Sequence, residues 1–400
     1  MYIKRTLEAN LINSSQEYSA IAVLGPRQSG KTTLVREIFP KHAYLSLENP
    51  DIRERAAIDP HGFLNSYKNH PGVILDEIQH LPQLLSYIQT IIDLGAPQGF
   101  FIITGSQNFL LNQAISQTLA GRIAILTLLP LSIAELNLAQ LLPDQIEILI
   151  FNGSYPAIYN QKRTVSRLYQ GYTNTYLERD IRQLKNISDL STFKKFIGLC
   201  AGRVGQEINF SSLSNDCGID QKTVRSWLSV LEASYIIFLL QPYYRNFGKR
   251  LIKSPKLYFI DTGLACSLLR IKSSEELLNH ALRGALVESL VISDLLKQQY
   301  NHELLPSLYF WRDATGNEVD CVIDEGQVIV PIEIKSSQTI IPNFFKGLAY
   351  WRSISKTEGQ RYVIYGGKED QVWTQGQVLS WQNMGNLIKL ILNQKPSIAP

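Results

Sequence analysis

Along this 400-residue chain the apolar positions switch between two kinds of spacing. In the first third, short apolar runs fall near residues 21–24, 43–47, 72–76, 100–104 and 122–128, with helix-like segments such as "TTLVREIF" between them. That alternation predicts a parallel sheet with right-handed crossovers, a three-layer α/β arrangement. After "LPLSIAEL" helical spacing takes over, including the charged run "SRLYQGYTNTYLERDIRQL". "FKKFIGLCAG", "NFSSLSNDCGID" and "QKTVRSWLSVLEASY" predict three helices, with a tight turn at Cys217 and Gly218 and Asp220 capping the third. In that third helix Val224, Trp227, Leu228 and Leu231 recur at i, i+3, i+4 and i+7, a buried stripe that leaves Lys222 and Arg225 facing outward. "YIIFLLQPYYRNFGKRLIKSPKLYFID" then alternates like a hairpin. Further on, "RGALVESLVISDLLKQQY" predicts an amphipathic helix, and "EVDCVIDEGQVIVPIEIKSS" two strands around a polar turn.

Composition narrows the class without choosing a function. With 45% hydrophobic and 18% charged residues the chain reads as globular, long enough for two or three cores. A formal net charge of +4 is small for this length, so any nucleic-acid surface must come from local clustering. The four cysteines, Cys200, Cys217, Cys266 and Cys321, form no CxxC pair, and the six histidines form no tight cluster. This argues against structural zinc and for reduced thiols in a cytoplasmic protein. The opening "MYIKRTLEANLINSSQ" lacks the apolar core of a signal peptide, and the most apolar stretch, "IAILTLLPLSIAEL", is broken by Pro130 and Glu135. No membrane segment is expected.

The most specific chemistry lies early. In "AIAVLGPRQSGKTTLV", Gly25, Gly30, Lys31 and Thr32 have the spacing GxxxxGK[ST] between a strand-like and a helix-like segment. Such a loop, here Gly25, Pro26, Arg27, Gln28, Ser29, Gly30, Lys31, Thr32 and Thr33, wraps phosphates with backbone N–H groups. Lys31 would reach the terminal phosphates, and the Thr32 hydroxyl would bind Mg2+. "GVILDEIQ" ends an apolar strand in Asp76 and Glu77, placing one acid to hold the metal and a second to orient water. Alternatively both acids cap the following helix. Ser106, in "TGSQ", is a candidate sensor of the terminal phosphate, although Thr-Gly-Ser is also ordinary turn chemistry. Arg122 and Arg179 are candidate arginine fingers for a neighbouring subunit's ATP, against the plainer reading of a surface or structural arginine for Arg122 and a solvated helix face around Arg179.

The helix-turn-helix and the hairpin carrying Arg245, Lys249, Arg250, Lys253 and Lys256 have the pattern of a winged helix. Lys222, Arg225, Lys249 and Arg250 are candidate DNA contacts. Protein docking is the alternative use of such a module. In the last third, Glu288 on a helix, Asp320 on a strand and Glu333-Ile-Lys335 on the next follow the order of PD-(D/E)xK nucleases. Glu288, Asp320 and Glu333 would be metal ligands and Lys335 the catalytic cation.

From "YIKR" through "GPRQSGKTT", "LDEIQ", "TGSQ", "AGR", "LERDI" and "YFIDTGL" to "EVDCVID" and "IEIKSS", the chain resembles prokaryotic AAA-type ATPases that join a P-loop domain to a winged helix and a C-terminal restriction-endonuclease-like domain. "GALVESLV" departs from the family pattern by carrying Ser289 where members commonly have Asn. The resemblance implies an α/β multidomain protein with a P-loop ATPase domain at 1–140 and a lid-like helical segment at 141–192. A winged helix at 193–268 and a restriction-endonuclease-like domain at 269–400 would follow. ATP and Mg2+ are the cofactors expected, DNA the expected partner, and a homo-oligomer the expected state, with a protein partner open to the winged helix or C-terminal domain. The function expected is ATP hydrolysis coupled to action on DNA, with a Mg2+-dependent nuclease site. The alternatives are a nucleotide-dependent switch that binds DNA or protein without cutting, and a chaperone-like remodelling ATPase.

Overall fold

The computed structural model describes residues 2–106, 111, 115, 117–161, 163–174, 189–244, 254–326, 328–356 and 359–393. These fall into two compact units, one of Met1–Pro130, Ala233–Tyr235 and Tyr300–Glu303, the other of Leu131–Glu232, Ile236–Gln299 and Leu304–Pro400.

The first unit is built on β1 (Ala20–Gly25), β2 (Ala43–Ser46), β3 (Val73–Asp76), β4 (Phe101–Ser106) and β5 (Ile123–Thr127), in the order β2-β3-β4-β1-β5. Every pairing is parallel, as the apolar runs predict. Side chains of β1 alternate between two cores. Ile21 and Val23 pack with Leu11, Leu34 and Val35 from the helices Glu8–Glu17 and Lys31–Ile38. Ala20, Ala22 and Leu24 face Leu84, Leu85 and Ile88 of the helix Leu84–Asp93. A strand covered on both faces has no polar side to show, which is why it reads as an unbroken apolar run. Each such buried side chain contributes about 1.5–3 kcal/mol. After β1 the chain moves to one side of it and returns to the other at β5, so the carboxyl end of β1 is a topological switch point, where open α/β sheets take ligands.

The second unit carries the helices Leu190–Ala201, Phe210–Cys217 and Gln221–Ala233, with Val224, Trp227, Leu228 and Leu231 buried as the spacing predicts. Gly218, at φ +79, ends the second of these helices, and Asp220 caps the third by accepting from Thr223 N at 2.9 Å. Eight strands follow: β6 (Ile237–Pro242), β7 (Lys256–Phe259), β8 (Leu308–Arg312), β9 (Glu318–Asp324), β10 (Ile329–Lys335), β11 (Tyr362–Tyr365), β12 (Gln371–Trp373) and β13 (Gly376–Ser380). Their order is β12-β13-β11-β10-β9-β8-β6-β7. The mid-chain hairpin β6–β7 is thus continuous with the C-terminal strands: Gln241 and Pro242 of β6 pair with Tyr309 and Phe310 of β8. Hydrogen bonding runs straight across position 268.

The helix Arg283–Asn301 is not amphipathic, contrary to the reading of its sequence; Ser289 through Gln299 are all buried. Its polar residues face protein groups instead of water. Asp294 Oδ1 accepts from Ile133 N at 2.7 Å, and Lys297 Nζ donates to Ser154 Oγ at 2.8 Å. Gln298 Nε2 donates to Met384 O at 3.0 Å. Buried polar groups are tolerated when paired in this way. In the same unit Asp261, from "YFIDTGL", accepts from Ser154 N at 2.7 Å, Leu264 N at 3.0 Å and Tyr169 Oη at 2.6 Å. All four cysteines are free and buried. Among the described residues no helix is long and apolar enough to cross a membrane.

Candidate functional sites

The glycine-rich loop sits between β1 and the helix that Lys31 begins. Gly25 has no room for a side chain, since a Cβ there would lie 2.1 Å from Leu128 O, and Gly30 adopts φ +98, a conformation that favours glycine. Arg5 fixes the loop from below: its guanidinium donates to Ser29 O at 2.8 Å and Leu129 O at 2.7 Å. Lys31 is buried, its ammonium donating to Gly25 O at 3.1 Å and Pro26 O at 2.8 Å. Burial pulls its pKa down, while Glu77 and Asp76 pull it back up.

Asp76, at the end of β3, gathers hydroxyls. It accepts from Thr32 Oγ1 at 2.8 Å, from Tyr44 Oη at 2.7 Å and from Thr104 Oγ1. Glu77 follows with φ +58, and its carboxylate accepts from the Gln79 amide and from Ser106 Oγ at 3.3 Å. Burial works to raise the Glu77 pKa, but Lys31, the Gln79 amide and Arg27 outweigh it, leaving the carboxyl below its ordinary value. The loop, Lys31, Thr32, Asp76, Glu77 and Ser106 therefore meet at one place.

The Ser29 hydroxyl is fully buried and has no hydrogen-bond partner among the described residues. Together with the caged ammonium and the Thr32–Asp76 pair, it fits a nucleoside triphosphate with Mg2+: loop and Lys31 could hold phosphates, Thr32 and Asp76 the metal. Sequence reasoning missed Tyr44 and Gln79, whose roles rest on contacts rather than on a motif. Arg5 had a signal, the last letter of "YIKR". Pro26 is buried, whereas Gln28 and Thr33 are exposed. Arg122 is half-exposed and pairs with Asp93, Nε to Oδ1 at 2.6 Å.

In the second unit, a cavity of about 630 Å3 is lined by Lys256, Glu288, Glu318, Asp320, Glu333 and Lys335 among others. Asp320 and Glu333, on the antiparallel neighbours β9 and β10, share the ammonium of Lys335, which lies 3.1 Å from Asp320 Oδ2 and also donates to Glu333. Asp320 accepts in addition from Ile334 N at 2.7 Å. Glu288 accepts from Tyr258 Oη and pairs with Lys256 at 3.2 Å; Lys256 also pairs with Glu318. Burial and the nearby Asp320 charge raise the pKa of Glu333, and burial, opposed by Lys256, raises that of Glu288.

All four residues expected here, Glu288, Asp320, Glu333 and Lys335, thus line one cavity. Glu288, Asp320 and Glu333 are not a ready triad of ligands, however. Among the described residues no group of three or more His, Cys, Asp or Glu is arranged to hold a metal ion. Two lysines divide the carboxylates between them. Lys256, read from its sequence as part of the basic hairpin of a winged helix, is only 4% exposed and belongs to this cluster. Its partners Glu288 and Glu318 lie 32 and 62 residues away, so nothing local could have revealed it.

Lys222 and Arg225 are exposed as expected, with the Arg225 guanidinium 3.8 Å from the centre of the Phe210 ring. Arg179, Arg245, Lys249, Arg250 and Lys253 lie outside the described residues.

A parallel five-stranded sheet with a glycine-rich loop at its switch point defines an α/β fold of the P-loop class. Residues 17–137 match the family model described as an AAA domain. Residues 143–275 and 283–384 match two domains of unknown function, DUF8612 and DUF4143. An uncharacterized protein of Mycobacterium tuberculosis is 29% identical over 342 residues, covering 84% of this chain and 74% of that one. Another, from Methanocaldococcus jannaschii, is 23% identical over 316 residues, covering 66% and 65%. Among solved structures, a Walker-type ATPase of Pyrococcus abyssi aligns with a TM-score of 0.43 at 16% identity, over 68% of this chain and 96% of that one. AMPPCP-bound DnaA from Aquifex aeolicus aligns with a TM-score of 0.32 at 15% identity, over 56% and 85%.

Proposed function

We propose that this protein hydrolyses ATP with Mg2+ and acts on DNA, and that its C-terminal sheet carries a metal-dependent nuclease-type site. The observation that carries the reading is the meeting of Lys31, Thr32, Asp76 and Glu77 at the end of β1 and β3. Lys31 binds the terminal phosphates, Thr32 and Asp76 hold the metal, and Glu77 orients the attacking water. Ser106, bonded to Glu77, senses the terminal phosphate. Bound Mg2+ supplies neutralisation of phosphate charge.

The nuclease half rests on Glu288, Asp320, Glu333 and Lys335 lining one cavity in a sheet. The three helices and the hairpin β6–β7 act as a winged helix that contacts DNA, with Lys222 and Arg225 exposed on its helices and Lys249 and Arg250 as further candidate contacts. In a homo-oligomer, Arg122 or Arg179 serves the neighbouring ATP. A second reading, a nucleotide-dependent switch that binds DNA without cutting, is favoured by one observation: lysines stand between the carboxylates where a metal-ready triad would stand.

The test uses linear, circular and single-stranded DNA with Mg2+ or Mn2+, with and without ATP. Lys31→Ala should lose ATP binding, and Glu77→Gln should bind ATP while turnover falls by about 100-fold or more. Normal ATPase rates in both would overturn the nucleotide assignment. Cutting that disappears in Asp320→Ala establishes the nuclease; intact ATPase and DNA binding with no cutting under any condition establishes the switch.

A further inference from the structure

Asp76 is only 4% exposed, and its carboxylate is held from three elements. Thr32 Oγ1 and Thr104 Oγ1 both donate to Oδ1, the first at 2.8 Å, while the Tyr44 hydroxyl donates to Oδ2 at 2.7 Å. Thr32 ends the glycine-rich loop and Thr104 lies on β4 beside β1. Tyr44 belongs to no motif. It comes from β2, the outermost strand of the sheet on that side.

Register explains how β2 delivers the hydroxyl. β2 and β3 run parallel, with Tyr44 beside Ile74 and Ser46 beside Asp76. Because side chains alternate, Tyr44 stands on the sheet face of Ile74 and Asp76, while Leu45 and Leu75 share the opposite core. Ile74 packs with Leu34 and Val35, so Tyr44 is on the side covered by the helix Lys31–Ile38. That helix meets the Tyr44–Asp76 pair at two points four residues apart, hence on one helix face. Thr32 bonds the same carboxylate, and the Arg36 guanidinium lies 4.7 Å from the centre of the Tyr44 ring, where a cation is attracted to the aromatic face. The ring itself is 36% exposed, so burial does not account for an aromatic side chain here. The hydroxyl is the part that reaches the site.

We propose that Tyr44 is a positioning residue of the nucleotide site: its hydroxyl fixes the turn of the Asp76 carboxylate, keeping Oδ1 on Thr32, and so sets the affinity for the Mg2+ that accompanies the nucleotide. The inference rests on the reading of this site as one for ATP and Mg2+. Loss of a hydrogen-bond partner that orients a metal-binding carboxylate weakens metal binding by about 10–100-fold. A hydroxyl that did no more than satisfy Asp76 would compete with a cation for the carboxylate, so removing it would strengthen metal binding. The sign of the change separates the two roles.

The experiment measures binding of a fluorescent, slowly hydrolysed ATP analogue to the full chain, first in EDTA and then across a Mg2+ titration. Lys31→Ala should lose binding in both conditions, which locates the analogue at the loop. Tyr44→Phe keeps the ring and its contact with Arg36, and its circular dichroism should match wild type. It should bind the analogue in EDTA as wild type does, yet need about 10–100-fold more Mg2+ to reach half of the Mg2+-dependent gain in affinity. Raised Mg2+ should return its ATP turnover to the wild-type rate. A Mg2+ requirement unchanged or lowered in Tyr44→Phe overturns the proposal while leaving the nucleotide site standing, as does an equal loss of affinity in EDTA and in Mg2+. Wild-type binding that ignores Lys31→Ala, or that does not respond to Mg2+, overturns the reading of the site and the proposal with it.

Discussion

Asp313 shows how much one side chain can gather. At the turn after β8 its carboxylate accepts from Thr315 N at 2.9 Å, Thr315 Oγ1 at 2.7 Å, Asn317 N at 3.0 Å, Asn317 Nδ2 at 3.0 Å and Tyr350 Oη at 3.0 Å. Burial works to raise its pKa, but the Asn317 and Thr315 donors outweigh it and hold the carboxyl far below the usual range. A depressed folded-state pKa stabilises the protein above the unfolded value of about 4, and that stabilisation is lost as pH falls toward the folded value. Asp313→Asn should cost about 1–2 kcal/mol at neutral pH, read by urea unfolding, and the gap from wild type should narrow below about pH 4. At this scale the sequence was legible where chemistry is contiguous. Gly25 to Thr32 announce themselves by spacing, because one loop must wrap one phosphate chain. Tyr44 and Lys256 do not, because each acquires its role from a carboxylate distant in the chain: Asp76 for Tyr44, Glu288 and Glu318 for Lys256.

Among elements, the five parallel strands were readable because burial on both faces leaves an unbroken apolar run, and the helix Gln221–Ala233 because its stripe keeps period. The helix Arg283–Asn301 misled the reading, since its Asp, Lys and Gln residues look solvent-facing but are bonded to protein groups. Asp261 is the comparable case at the start of the helix Thr262–Leu268. There it joins Ser154, Tyr169 and the first turn of that helix. Asp261→Ala would leave several of these donors buried without an acceptor, each costing about 1–3 kcal/mol. The expected loss is more than about 3 kcal/mol, seen as a drop in the urea midpoint; a change within about 0.5 kcal/mol would show that the buried donors find other partners.

For the whole molecule, ligand binding should report unit by unit. A slowly hydrolysed ATP analogue at about 100 times its Kd adds about 2.7 kcal/mol to whatever binds it. Hydrogen exchange should slow in Ala20–Gly25 and Val73–Asp76, and Lys31→Ala should remove the effect; unchanged exchange in those strands at saturation would contradict a site at the end of β1. The second unit was the harder one to read. Its family matches stop at residue 275 and resume at 283, and sequence alone suggests a seam at 268. Yet Tyr243 N donates to Phe310 O at 2.7 Å, and β6 pairs with β8 across that position. Strand partners far apart in sequence leave no periodic trace at the place where they join.

That shared sheet limits how this chain could be rearranged in evolution. A crossover near residue 268 that replaced everything downstream would strip β6 of its neighbour β8, baring a row of unpaired N–H and C=O groups to any passing strand. It would also part Lys256 from Glu288 and Glu318. Modules that trade freely carry complete edges. These two segments share one, so a descendant that keeps either is expected to keep both.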